Sequence, residues 1–337
     1  MTEATAPPAR AESRPGFRIV LGLLGTCLLV LIFVWVGPRA IADQLSKVGP
    51  RALWILAPYV VGTAIGAFPW TWLLPSQERP TVRGTIASRF AASGANALLP
   101  FFGLAGEPLR LLWLASDARA RGLAAIVVDR VVYNSANALL LLVGACFALS
   151  IEQLPRSVGI SGAAIALAIG AITIGIARSA AHLRIGDRLH GVLKKRIAAL
   201  QTTRDFGAEV DASLRELLGG QRRRLWPCLV THLAGRAALC AEIYVALWTL
   251  GAAPSVSRAF VLATVPIATG LVASSIPSQI GVQEAAQAFT CAALGIPPAV
   301  GFSLVLLQRA RQLAFIPLTP FLVSTATGTP FARRQPT

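Results

Sequence analysis

The sequence predicts an all-α, polytopic integral membrane protein, and three observations carry that prediction. Hydrophobic residues fill 55% of the 337 positions, charged residues only 14%, and the mean hydropathy of +0.63 lies outside the range of soluble domains. Six nearly continuous apolar runs have the roughly 20 residues that a helix needs to cross a bilayer core about 30 Å thick. Two further apolar stretches, 84–115 and 259–296, are interrupted by proline, glycine and a carboxylate. The same composition excludes fibrous, disordered and disulfide-rich secreted classes.

The first run, 17–37, follows Arg10 and Arg14, with Arg18 at its start. Ala40-Ile41-Ala42 has the form of a signal-peptidase site, but the apolar core exceeds the roughly 7–15 residues of a signal sequence, so an uncleaved helix is expected. The runs 51–74, 122–149, 158–177, 226–250 and 298–324 follow. Neither interrupted stretch can be one regular helix, because proline removes a backbone donor and clashes with the preceding turn. The breaks fall at Pro100, Gly103 and Gly106 in the first stretch and at Pro277 and Gly281 in the second. Backbone groups freed at membrane depth must face protein or a wet cavity, so each stretch reads as two helices folded into a re-entrant hairpin or a kinked pair. Between the halves, 178–224 reads as an amphipathic helix with Leu183, Ile185, Leu189, Val192, Leu193, Ile197 and Leu200 on one face. It lies along the anionic leaflet or serves as a solvated linker.

The formal charge of +16 would suggest nucleic acid in a soluble domain, but basic residues accumulate in the cytoplasmic loops of membrane proteins, so no nucleic-acid partner is expected. Segment 178–224 carries eleven of the 31 basic residues and is placed in the cytoplasm. With both interrupted stretches re-entrant, the tails and the links 75–90 and 115–122, including Arg79, Arg83, Arg89, Arg119 and Arg121, fall on the same side. Twenty-one basic residues then lie inside, five outside (Arg39, Lys47, Arg51, Arg156, Arg258) and five at membrane depth. The organisation is a tail (1–16), a first membrane half (17–177), the basic linker (178–224), a second half (225–324) and a tail (325–337), both tails cytoplasmic. The odd count of five cysteines, without a C-x-x-C pair, reads as packing residues.

The interrupted stretches match in spacing. Pro100 and Glu107 are seven apart, as are Pro277 and Glu284; Ser93-Gly94 precedes the first proline much as Thr269-Gly270 precedes the second. Downstream, Val128-Asp129-Arg130 corresponds to Leu307-Gln308-Arg309 with a two-residue difference in the link. Internal repeats with opposed, interrupted helices point to the central site of a transporter, and this pair predicts an inverted repeat. Charges inside a bilayer are costly and normally face a bundle interior with partners. Here Glu107, Arg110, Asp129, Arg130, Arg236, Glu242, Glu284, Arg309 and Arg311 lie at or near membrane depth. Arginine suits a headgroup phosphate, because its planar fork donates paired hydrogen bonds and keeps its charge on burial.

Structural readings stand beside these. Glu107 and Glu284 either serve a site or complement the helix dipole after each break. Arg130 and Arg309 either bind a ligand or pair structurally with those glutamates. Arg236 and Glu242 are expected on one broad helix face as an interhelical pair, and Arg110 and Arg311 as snorkelling ends. His232 has no second ligand at metal spacing on its helix, so it reads as a satisfied polar residue; no metal and no cofactor are predicted.

Asn96-Ala97-Leu98-Leu99-Pro100, Gly106-Glu107-Pro108-Leu109-Arg110, Val128-Asp129-Arg130, the run from Ile276 to Glu284 and Gln308-Arg309-Ala310-Arg311 resemble the flippase-like membrane domain of lysylphosphatidylglycerol synthases. The chain is also similar to stand-alone members of that family, including hopanoid-biosynthesis-associated membrane proteins, through Ala241-Glu242-Ile243-Tyr244 and the last hundred residues. The resemblance implies lipid translocation in a bacterial inner membrane. In the synthases a large additional soluble domain transfers the aminoacyl group; the chain ends at Thr337 without one, so aminoacylation is not carried over. The leading expectation is a non-enzymatic lipid transporter whose partners are membrane lipids and, further, lipid-biosynthesis enzymes. An integral membrane enzyme and a scaffold for lipid synthesis are the alternatives. Against the enzyme stand the lack of a histidine cluster, of paired aspartates for Mg²⁺ and of a nucleophile with a base; no P-loop is present. The oligomeric state is not legible.

Overall fold

The computed structural model describes residues 15–98, 106–182, 186, 205–220, 222–273, 276 and 279–327. Among them the chain is predominantly helical, with no strand. Helices satisfy every backbone group internally, which is what an apolar surround demands. The elements are α1 (Pro15–Val36), α2 (Pro38–Val48), α3 (Ala52–Ile65), α4 (Pro69–Trp72), α5 (Val82–Leu98), α6 (Arg119–Ser150), α7 (Arg156–His182), α8 (Phe206–Gly219), α9 (Leu225–Thr249), α10 (Val256–Val272), α11 (Val282–Ala293), α12 (Pro298–Phe315) and α13 (Leu318–Thr327). Proline opens α2, α4 and α12, where its missing N–H has no intrahelical partner to lose.

Among the described residues five helical segments are long and apolar enough to cross a membrane: Pro38–Trp72, Ser116–Ser150, Arg156–Ala180, Leu225–Thr249 and Pro298–Ser324. One of them begins earlier than expected: Pro38–Trp72 takes in the polar α2, which Gly37 at φ 91° separates from α1 and Gly49 at φ 45° separates from the turn that leads into α3. The run expected at 17–37 coincides with α1, Pro15–Val36.

α6 is the central element, packing against α7, α8, α9, α10 and the turn of 3₁₀ helix Glu107–Trp113. α7 shows how little burial a lipid-facing helix needs: Gly159, Ala166, Thr173 and Ala180, seven residues apart, form a narrow buried seam of small side chains, while Ile160, Leu167, Ile172 and Ile174 point outward. Trp35, Trp54, Trp226 and Trp248 are exposed near helix ends, the placement of aromatic residues at a membrane interface.

In both interrupted stretches described residues from the two ends pack in common clusters. At the first, Trp113 packs on Ala91 and also lies against Gly84, near the start of α5. At the second, Leu294 and Ile296 share one core cluster with Ala259 and Leu262, near the start of α10. Arg121 at the start of α6 pairs with Glu78 at 2.7 Å, tying together the links that flank the first stretch. The proposed breaks Pro100, Gly103 and Pro277 lie outside the described residues, as do the tails 1–14 and 328–337 and most of 183–204. The described remainder of the linker, α8, buries Phe206, Val210, Leu214 and Leu217 in the cluster around Leu123 and Val128, so it docks on the bundle.

Candidate functional site

The first carboxylate is set by a close approach of backbone to backbone. A Cβ on Gly106 would stand 2.1 Å from the carbonyl oxygen of Ala92, so only glycine lets this turn press against α5. The Gly106 N–H then donates to Oδ1 of Asn96 at 2.7 Å, and Asn96 Nδ2 donates to Glu107 at 3.3 Å. Glu107, 3% exposed, is met by three arginines: Arg89 from α5 at 3.4 Å, Arg110 one turn on at 2.7 Å, and Arg130 from α6.

From Arg110 the network continues inward. Its guanidinium is fully buried, lies 4.7 Å over the Trp70 ring and reaches Asp129 at 3.3 Å. Asp129 bonds His232 Nε2 on α9 at 2.8 Å. Four residues along each helix, one turn further and on the same face, stand Tyr133 and Arg236. The Tyr133 ring meets His232 edge-on and carries two guanidinium groups, Arg130 at 5.1 Å and Arg236 at 4.6 Å. Among the described residues no carboxylate lies within ion-pair distance of Arg236.

The second carboxylate sits in the first turn of α11. Gly281 at φ 80° takes a left-handed conformation suited to glycine, and its N–H donates to Glu284 at 2.9 Å. The other oxygen of Glu284 accepts from Arg309 Nε at 2.5 Å. Beside this pair Arg311, over the Tyr59 ring, donates to Glu242 at 2.5 Å. Glu284 is therefore both a helix-terminal acid and an ion-pair partner, which joins the two readings the sequence left separate.

The structure thus joins Glu107, Arg110, Asp129 and Arg130 in one network and Glu284 with Arg309 and Glu242 with Arg311 in two pairs. Two expectations are corrected. Arg110 and Arg311 do not snorkel at helix ends, since both are held by carboxylates. Arg236 does not pair with Glu242: six residues along a helix leave two side chains about 120° apart, and Glu242 finds its partner on α12 instead. Sequence reasoning missed Arg89, placed above in a cytoplasmic link, and with it Trp70 and Tyr133, and it gave Asn96 a place in a family motif but no role at the site. The available signal was the seven-residue spacing of Arg89 and Asn96, which puts both on one face of a helix.

The electrostatics of the two clusters differ. The first, to which α9 contributes Arg236, sets Arg89, Arg110, Arg130 and Arg236 against Glu107 and Asp129, a formal excess of two positive charges among these guanidinium and carboxylate groups. In the second, Arg309 and Arg311 face Glu284 and Glu242. Among the described residues no group of three His, Cys, Asp or Glu side chains is placed to hold a metal ion.

No curated protein and no solved structure matches the chain. Residues 19–319 match the family described as the lysylphosphatidylglycerol synthase TM region, which takes in both interrupted stretches and every charged side chain of the two clusters. The chain belongs to this family of membrane domains.

Proposed function

We propose that this chain is a lipid transporter of the bacterial inner membrane, which moves a phospholipid, glycolipid or isoprenoid-derived lipid between leaflets and catalyses no covalent reaction. The observation that carries the reading is the buried charged network linking Glu107, Arg110, Asp129 and His232 between apolar helices. Charges at such depth are retained where a polar group must pass or bind. The packing of the far end of each interrupted stretch with its near end supports a pair of re-entrant hairpins, and the excess of basic residues in 178–224 supports cytoplasmic termini and an inverted arrangement of the halves. Membership in the family supports a role in lipid chemistry or movement. In this reading Glu107, Arg110, Asp129, Arg130, Arg236, Glu242, Glu284 and Arg309 form the headgroup site, with the partly accessible Arg130, Arg236 and Arg309 meeting the headgroup and the buried side chains positioning them, while the tails stay in the membrane.

The test is reconstitution of the purified chain in proteoliposomes with fluorescent or radiolabelled anionic, zwitterionic and isoprenoid lipids. Faster leaflet exchange than in protein-free vesicles is expected for at least one class. No acceleration for any of them, with or without a proton gradient, overturns the proposal.

A further inference from the structure

The transporter reading does not say which headgroup the site takes, and the unequal charge of the two clusters bears on that question. Resting on that reading, we propose that the cluster around Glu107 and Asp129 binds the terminal phosphate monoester of a lipid, with Arg130 and Arg236 as the arginines that meet it across the Tyr133 ring.

Charge count decides the valence. Four arginines against two carboxylates leave an excess of two, and an excess in an apolar surround is stabilised by a ligand of opposite charge. A zwitterionic headgroup leaves the excess untouched, a diester removes half of it, and a cationic headgroup adds to it. A monoester dianion matches it.

Hydrogen bonding points to the same ligand. The Nε atoms of Arg89, Arg130 and Arg236 are buried and have no acceptor in the structure. Buried guanidinium N–H groups are obligatory donors, and the oxygens of a phosphate monoester are acceptors only. Arg110 is sealed from contact, whereas Arg130 keeps 20% of its side chain accessible and Arg236 is likewise only partly buried. These two therefore face whatever reaches the cluster. The second cluster offers no comparable excess, since Arg309 and Arg311 are matched one to one with Glu284 and Glu242. A lipid is favoured over free phosphate because α6 and α9, which carry Arg130 and Arg236, also line, together with Ala177 of α7 and Leu218 of α8, an apolar groove of about 380 Å³ with Val131, Ser135, Leu225 and Trp226. That groove gives a hydrocarbon chain a wall on the helices that hold the headgroup.

The experiment measures equilibrium binding of radiolabelled dioleoyl phosphatidic acid and dioleoyl phosphatidylmethanol to the full chain in detergent. The two lipids share their tails and differ by one methyl ester, which removes one charge. At pH 8, above the second ionisation of a phosphate monoester at about 6, phosphatidic acid is expected to bind at least about tenfold more tightly, the worth of one further charge-assisted hydrogen bond. Arg236→Gln is expected to reduce that preference to about threefold or less, whereas Arg39→Gln, which removes an exposed arginine on α2, keeps it. Inorganic phosphate is expected to compete only at about a hundredfold higher concentration, for want of the tails. Equal affinity for the two lipids overturns the proposal, and so does inorganic phosphate binding as tightly as phosphatidic acid. The preference is read on the unmutated chain, so a misfolded variant does not leave the question unanswered. Binding and movement separate the two proposals: monoester preference without leaflet exchange refutes transport alone, and exchange without that preference refutes the headgroup assignment alone.

Discussion

Glu107→Gln, alone and with Arg130→Gln, tests whether the first cluster is one electrostatic unit. Glu107 is 3% exposed and is the common partner of Arg89, Arg110 and Arg130. Neutralising it leaves Arg110 with Asp129 at 3.3 Å and raises the formal excess from two to three. Removing one partner of a buried ion pair costs about 3–5 kcal/mol, and that loss is expected here. Arg130→Gln alone is milder, about 1–2 kcal/mol, because Glu107 keeps two arginines and the lost partner was partly solvated. In the double variant the excess returns to two, and Gln at both positions can exchange neutral hydrogen bonds. Its loss is expected to fall about 2 kcal/mol short of the sum of the singles. Chemical or thermal unfolding in one detergent, read by tryptophan fluorescence and by helical dichroism, measures the cycle. Additivity within about 0.5 kcal/mol would show that Glu107 and Arg130 are not coupled and would refute the single-network account. The double variant is nevertheless expected not to transport, since it removes two of the groups assigned to the headgroup.

Arg236→Gln is expected to change stability by no more than about 1 kcal/mol, because a cation–π contact with Tyr133 of about 0.5–2 kcal/mol is offset by relief from neighbouring positive charge; a loss of 3 kcal/mol or more in the same unfolding assay would make it a structural residue. Gly106→Ala places a methyl 2.1 Å from the Ala92 carbonyl oxygen and is expected to lower stability by about 1–3 kcal/mol while slowing leaflet exchange; wild-type melting would mean the turn is looser than described. Glu284→Gln with Arg309→Gln is expected to insert and fold but not to transport, and full transport by that variant leaves the pair a packing role only. A single cysteine at position 196 in a cysteine-free background is expected to react with a membrane-impermeant reagent only after permeabilisation; labelling of intact cells refutes the cytoplasmic linker.

The parts of this architecture that the sequence discloses are those in which a local rule has no rival. A charge inside an apolar run has few ways to be satisfied, so Glu107, Arg130, Glu284 and Arg309 stand out before any coordinates, and the structure pairs them. Arg89 is hidden because its neighbourhood is polar: Glu78, Arg79 and Arg83 make residues 75–90 read as a loop. Only the return of Trp113 to the start of α5 carries Arg89 to Glu107. The partner of Glu242 is hidden for another reason. Arg311 lies 69 residues away on α12, and no spacing rule reaches that far. α8 is intermediate, since Phe206, Val210, Leu214 and Leu217 spell one helical face but do not say whether lipid or protein covers it.

The register of the two stretches explains where the positive excess comes from. Glu107 and Arg130 match Glu284 and Arg309, and each pair is neutral. Arg110, three residues after Glu107, matches Gln287, and Asp129 matches Gln308, so an ion pair in one half stands where the other has two amides. That exchange also leaves the net charge unchanged. Eleven residues before the matched prolines, Arg89 stands opposite Pro266, and Arg236 belongs to α9, outside the matched positions altogether. The two surplus charges are therefore the two arginines that the repeat does not duplicate. Paired residues common to both halves answer to the requirement that any buried charge be compensated. Arg89, which shares Glu107 with two other arginines, and Arg236, which lies on the Tyr133 ring, exceed that requirement, and such an excess in an apolar bundle is a standing cost that a bound anion would remove.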